Sequence, residues 1–238
     1  MRLLIDAGNS RVKWALYATH GLVAEGAVAH DTLFSLAEAW RPYPIREAWG
    51  ASVAGPEVQA ALEAFLTVPV RWVRAAASGC GIVNHYLNPA EQGADRWLAV
   101  VAARHLESGD VIVASAGTAL TVEALTAEGD YLGGLILPGY RLMLQSLARN
   151  TAQLDRPAGQ PVPFPQGTED AIASGVSDAM AGAVERLRLR LARHTGRAPA
   201  PVLVTGGDAT RLAPSLEKPC RIVDNLVLLG LLNVADAS

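Results

Sequence analysis

A repeat at a spacing of 109 residues constrains this chain more than any other feature. "LLIDAGNSRVKWAL" opens at residue 3 and "VIVASAGTALTVEAL" at residue 111. In each, an apolar strand enters a small-Gly-polar turn and leaves as a second strand. Ala7 and Ala116, Gly8 and Gly117, and Leu16 and Leu125 all stand 109 apart. A third strand follows each copy, at 22–29 and in "YLGGLILPG" at 131–139. The alternation inverts in the second strand, where Val12 and Trp14 align with Thr121 and Glu123. A true repeat would give two related α/β halves, 1–108 and 109–238, divided near Ser108-Gly109-Asp110. A chance likeness of two glycine hairpins stays open.

Periodicity fills in the rest. Strands are expected at 2–7, 11–17, 22–29, 48–53 and 70–74, with a helix at 32–40. Pro56 suits a first helical position, and Val58, Ala61, Leu62 and Phe65 share a face. A glycine-bearing loop leads to a helical stripe of Ala94, Trp97, Leu98, Val101 and Ala102. A helix over 140–153 precedes "RPAGQPVPFPQG", which excludes regular structure. A long helix carries Val176, Met180, Val184, Leu187 and Leu191. "APVLVTGGDATRL" reads as strand, turn and helix start, and an apolar helix over 225–235 should pack on the core.

Composition excludes several classes. Half of the 238 residues are hydrophobic and 18% are charged, enough for a substantial core. The net charge of -3 and the lack of a Lys/Arg run give no footprint for nucleic acid. Leu226–Leu232 is far short of the roughly 20 apolar residues of a membrane helix. The start of the chain reads as a strand rather than a leader. A cytoplasmic protein without membrane or nucleic-acid partners is expected. Cys80 and Cys220 belong to no CxxC pair, and buried free thiols are the expectation. The histidines, His85 included, show no metal-ligand spacing.

Three glycine turns follow apolar strands: Asp6-Ala7-Gly8-Asn9-Ser10, Ser115-Ala116-Gly117-Thr118 and Thr205-Gly206-Gly207-Asp208. Exposed backbone N–H groups in such turns bind phosphate oxygens, and glycine permits close approach. The same residue types also make plain tight turns. There is no GxxxxGK[ST], and "GCGIVN" is no GxGxxG. Asp6 is a candidate Mg²⁺ ligand, since Mg²⁺ takes one or two carboxylates plus phosphate oxygens. Asp208 reads equally as a cap-region acid. In "GADRW", Asp95 reads as an acid complementing a helix N-terminus. Beside it, Arg96 is a fork-shaped donor suited to a carboxylate. An acid next to an anion anchor suits phosphorylation of a small acidic alcohol. Thr168, ahead of Glu169 and Asp170, reads first as a helix N-cap.

These segments resemble one family. "DAGNSRVKW" (6–14), "YLNP" with "GADRW" (86–97), "AGTALTV" (116–122), "YLGGLILPG" with "LARNTAQL" (131–154), "GTEDAIASG" (167–175) and "VTGGDA" (204–209) follow, in order, the pattern of type III pantothenate kinases. That family belongs to the actin–hexokinase–heat-shock-ATPase superfamily. The resemblance implies a duplicated ribonuclease H-like α/β fold, with two mixed-sheet halves flanking a nucleotide cleft. It implies a homodimer and ATP-dependent phosphorylation of pantothenate, the first step of coenzyme A synthesis.

By the same resemblance Asp6, Ala7, Gly8, Asn9, Ser10, Arg11, Val12 and Lys13 form the first phosphate loop, with Asp6 toward Mg²⁺. Gly117 and Thr118 belong to the second loop, and Gly206 and Gly207 lie near the adenosine. Tyr86, Gly93, Ala94 and Arg96 hold pantothenate, Asp95 is the general base, and Thr168 reaches the substrate across the dimer interface. The family usually has Asp where Ser115 stands, helping to bind a monovalent cation, K⁺ or NH₄⁺. Ser115 lacks that charge. Glu123 stands where the family commonly has Asp. The rival expectations are a kinase of another small hydroxylated substrate and a non-enzymatic regulatory protein on this fold.

Overall fold

The computed structural model describes residues 1–238. The chain runs β1 (Arg2–Ala7), β2 (Arg11–Ala18), β3 (Gly21–Ala29), α1 (Ser35–Trp40), β4 (Glu47–Ser52), α2 (Pro56–Glu63), β5 (Val70–Trp72), β6 (Ser78–Gly79), β7 (Ile82–Asn84) and α3 (Ala94–Leu106). It continues with β8 (Val111–Ala116), β9 (Ala119–Leu125), β10 (Asp130–Pro138), α4 (Tyr140–Asn150), α5 (Thr168–Thr195), β11 (Val202–Thr205), α6 (Ala209–Leu212), β12 (Cys220–Ile222) and α7 (Leu226–Asp236). Two compact units result: Met1–Leu106 with Asn225–Ser238, and Glu107–Asp224.

The first unit holds a mixed sheet of order β3-β2-β1-β4-β5. β1 pairs antiparallel with β2 and parallel with β4, which pairs parallel with β5. Strand alternation gives the sheet two different faces. Leu3, Ile5 and Ala7, with Val12, Trp14 and Leu16, are buried against Leu36 and Trp40 of α1 and Leu62 of α2. The Trp14 and Trp40 rings meet edge to face at 6.3 Å, a favoured aromatic geometry. The opposite face carries Leu4 and Asp6, and α3 and α7 pack there. The final helix, expected with the second half, therefore belongs to the first unit. Its run of leucines covers β1 and β4, a face that would otherwise be left to water.

The second unit repeats the plan, with strands in the order β10-β9-β8-β11-β12. β8 pairs antiparallel with β9 and parallel with β11. Ile112, Ala114 and Ala116, with Leu120, Val122 and Ala124, pack on Val176, Met180, Val184 and Leu191 of α5.

The inverted alternation has a simple cause. The first hairpin closes at Ala7↔Val12 and the second at Ala116↔Leu120, so the second turn is one residue shorter. Val12, Trp14 and Leu16 then correspond to Leu120, Val122 and Ala124, all core residues. β3 and β10 regain the 109 spacing at both ends.

Three details differ from expectation. The glycine-bearing loop contains the small hairpin β6–β7, turned at Cys80 (φ 51°) and Gly81 (φ 72°). Positive φ at both central residues matches the right-handed twist of the flanking strands. β12, only three residues long, escapes periodicity analysis. Cys80 and Cys220 are free thiols but only half-buried. No helix is long and apolar enough to cross a membrane.

Candidate active site

In the first unit the site begins where β1 ends. Asp6 faces Lys13 across the β1–β2 ladder, and paired residues share a face. That face is the one α3 and α7 cover, so the carboxylate is shielded from much of the surrounding water while staying partly accessible. Burial first, then the negative charge of Asp95, pushes the Asp6 carboxyl up to about 7, while Lys13 pulls it down. Beyond Asp6 the turn closes with Gly8 N–H donated to Arg11 O at 3.1 Å. His30 Nε2 lies 2.9 Å from Gly8 O. Asn9, Ser10 and Arg11 are exposed, while the Ala7 and Val12 side chains are buried in the core. Those two residues therefore offer only backbone to a ligand. Lys13 Nζ donates to Asn225 Oδ1 at 3.3 Å.

The second cluster stands at the start of α3. Asp95 is in the first turn and accepts the Arg96 backbone N–H at 2.9 Å. Burial raises the Asp95 carboxyl above its ordinary value, against that hydrogen bond and the Arg96 charge. A Cβ on Gly93 would stand 2.5 Å from Asp95 Oδ1, so only glycine leaves this carboxylate its position. Ala94 is buried. Arg96 is also buried, donates to the Tyr86 hydroxyl at 2.7 Å and lies 5.4 Å from the Tyr86 ring centroid. The Tyr86 loop is anchored by Asn84, whose Oδ1 accepts the Tyr86 N–H at 3.1 Å. Its Nδ2 donates to Ala76 O and to Gln92 Oε1. The charge of Asp95, 89 positions away in sequence, thus reaches Asp6.

In the second unit two of the glycine turns meet. Asp208 N–H donates to Ala116 O at 3.0 Å. Gly206 has φ 97°, and a Cβ there would run into the Ala116 carbonyl. This left-handed, close-packed position accepts glycine alone. The Gly206-Gly207 turn therefore sits directly on the residue preceding Gly117. Gly117 N–H closes its own turn to Ala119 O at 3.0 Å, and Thr118 is exposed. Ser115 pairs with Thr121 on one side and Thr205 on the other. The register thus aligns three hydroxyl residues on one face of the sheet.

Some residues take other roles than expected. Gly167 is the N-cap of α5, and Thr168 is its exposed first helical residue rather than the cap. Asp208 occupies the N-cap of α6 without a side-chain cap bond. Glu123 is fully buried and accepts the Tyr131 hydroxyl at 2.6 Å. Asn84, Gln92, His30 and Asn225 escaped sequence reading, and Thr121 and Thr205 were named there only as strand and turn residues. Only Asn225 left a signal there, a polar residue before an apolar helix.

Comparison with known proteins adds an independent line. A model of the type III pantothenate kinase family matches residues 2–190. The type III pantothenate kinase of Chromobacterium violaceum is 64% identical over 236 residues, covering 99% of this chain and 100% of that one. A solved structure titled as a conserved putative Baf family transcriptional activator from Campylobacter jejuni superposes with a TM-score of 0.65 at 20% identity, covering 99% of this chain and 98% of that one. A putative 2-dehydro-3-deoxygalactonokinase from Sinorhizobium meliloti gives 0.61 at 16%, covering 100% and 99%. The two mixed sheets are thus those of the actin-like ATPase and sugar kinase fold. With most of its length matched by the family model and a full-length relative at 64% identity, this chain belongs to the type III pantothenate kinase family.

Proposed function

We propose that Asp95 is the general base in the reaction that family membership gives this chain, the ATP-dependent phosphorylation of pantothenate that opens coenzyme A synthesis. What supports the assignment is the Asp95 carboxylate in the first turn of α3, its charge reaching Asp6 at the end of β1, with burial shifting both carboxyls upward. Two such groups resist ionising together unless a cation joins them. Asp6, the more perturbed, fits the Mg²⁺ that accompanies ATP, which supplies charge neutralisation at the phosphates. The turns Asp6–Lys13, Gly117–Thr118 and Gly206–Gly207 bind the nucleotide through backbone N–H groups and the Lys13 ammonium.

Arg96, steadied by Tyr86, meets the pantothenate carboxylate, with Gly93 and Ala94 offering backbone at the start of α3. A bidentate fork on a carboxylate fixes orientation as well as affinity. Asp95 orients the primary hydroxyl and accepts its proton as the oxygen bonds to the γ-phosphorus and the bond from that phosphorus to the bridging oxygen breaks, releasing ADP. Phosphoryl transfer depends mainly on positioning and electrostatics. Asp95→Asn should lower kcat by roughly 10²–10⁴-fold and leave ATP binding in place. Turnover at the parental rate would end the assignment.

The finer points follow the same reading. Ser115, Thr121 and Thr205 supply neutral oxygens suited to a weakly held K⁺ or NH₄⁺ rather than to a divalent ion. The chain works in the cytoplasm as a homodimer, with the exposed Thr168 reaching substrate bound by the partner. Sedimentation of the purified chain tests the dimer, and activity in potassium against sodium tests the cation.

A further inference from the structure

Lys13 carries the only ammonium of the first turn, and its long stem loses considerable rotamer freedom when held in one place. Something must hold it before phosphate arrives if it is to act without that loss. Asn225 Oδ1 accepts from Lys13 Nζ at 3.3 Å. The other end of the same amide is fixed in turn, since Asn225 Nδ2 donates to Glu25 Oε2 at 3.0 Å. The amide therefore bridges β2 and β3 from the start of α7. Its nitrogen meets the carboxylate and its oxygen meets the ammonium, which is the only orientation satisfying both partners. The backbone of Asn225 is left-handed, φ 53°, and Asn tolerates that region better than most residues.

We propose that Asn225 is a positioning residue for Lys13, holding the ammonium toward the nucleotide phosphates through the Glu25–Asn225–Lys13 chain. This rests on Lys13 being a phosphate ligand. A neutral amide suits the task because it accepts one of the three N–H groups and adds no second negative charge beside that of Asp6 across the ladder. A carboxylate there would neutralise the ammonium and compete with ATP for it.

Asn225→Gly separates the two uses of the residue, because glycine keeps the left-handed backbone and removes the amide. It should raise KM for ATP about tenfold, the worth of a hydrogen bond to a charged group. KM for pantothenate and the melting temperature should stay near parental. Glu25→Ala, on the exposed part of β3, should raise KM for ATP about two- to threefold by freeing the amide. In a Lys13→Ala background Asn225→Gly should add nothing, since the group it positions is gone. An unchanged KM for ATP in Asn225→Gly, while Lys13→Ala raises it, overturns the positioning role and leaves Lys13 as ligand. An equal rise in both backgrounds overturns it too. If Lys13→Ala leaves KM for ATP unchanged, the reading of Lys13 itself fails. Should Asn225→Gly not fold, Glu25→Ala decides alone, and no rise there counts against the proposal.

Discussion

The two units share strand order, pairing sense and the helix-packed face, yet their turns differ in three ways. The first is one residue longer and carries Asp6, opposite Lys13, one residue before its leading strand ends. The second is shorter, carries Ser115 between Thr121 and Thr205 at the equivalent place, and is braced by the Gly206 turn. One scaffold thus offers a charged turn, where a carboxylate and an ammonium face each other, and a neutral one lined by hydroxyls and glycine. Under the proposed function, charge decides where a divalent ion and reacting phosphate gather, and neutral donors hold the rest of a nucleotide without competing for them.

The sharpest way to break this contrast is to remove the polar group from each turn. Asp6→Asn should lower kcat/KM for ATP by about 10²–10³-fold, the usual loss for one preorganised electrostatic contact. Ser115→Ala should cost about fivefold or less, as for a neutral hydrogen bond. Equal losses in steady-state kinetics would show that the turns do the same work.

Smaller effects separate the turns by backbone. Gly206→Ala forces a left-handed residue into the Ala116 carbonyl and should cost about 1–3 kcal/mol of stability. At Gly8 a Cβ would lie 3.4 Å from Arg11 O, a contact that small shifts relieve. Gly8→Ala should change stability by only about 0.5 kcal/mol in chemical denaturation. A comparable loss at both would mean the first turn is as tightly built as the second.

The gentlest probe is pH. With its carboxyl raised to about 7, Asp6 keeps its proton in the folded chain while the unfolded chain loses it near 4. The folded state then binds more protons, so stability from this group is full below about 4 and declines as pH rises toward 7. Asp95, shifted the same way, adds to the decline. Melting curves of Asp6→Asn should show a shallower decline over that range than the parent. The second turn has no titrating group to match, so Ser115→Ala should leave the profile unchanged.

Much of this was legible in the chain. The strand–turn–strand repeat pointed to duplicated sheets, with a chance likeness of two glycine hairpins left open until the pairing of both hairpins was seen. The place of Asp95 and Arg96 at the start of α3 was legible because they stand at the head of an apolar helical stripe. What was hidden lay in contacts between distant segments. Asn84 and Gln92 look like ordinary loop residues until they meet. The coupling of Asp6 to Asp95 depends on which face of β1 receives α3. The inverted alternation of β9 looked like a flaw in the repeat, because one missing turn residue shifts every later comparison by one while the pleat keeps its own register. Thr168 was misread as a cap because Gly167 and Thr168 are both acceptable there, and side-chain chemistry alone does not choose between them.

The return of α7 to the first unit has a consequence for how the polypeptide is made. A ribosome delivers every recognisable motif of the nucleotide turns before it delivers residues 225–238, yet the face of β1 and β4 that α3 shares with α7 stays only partly covered until those residues emerge. A nascent chain cut short by a nonsense codon or a protease would keep all its signature segments and still lack the lid of its first sheet and the amide beside Lys13. One helix late in the chain thus closes the first sheet and sets the amide beside Lys13 together.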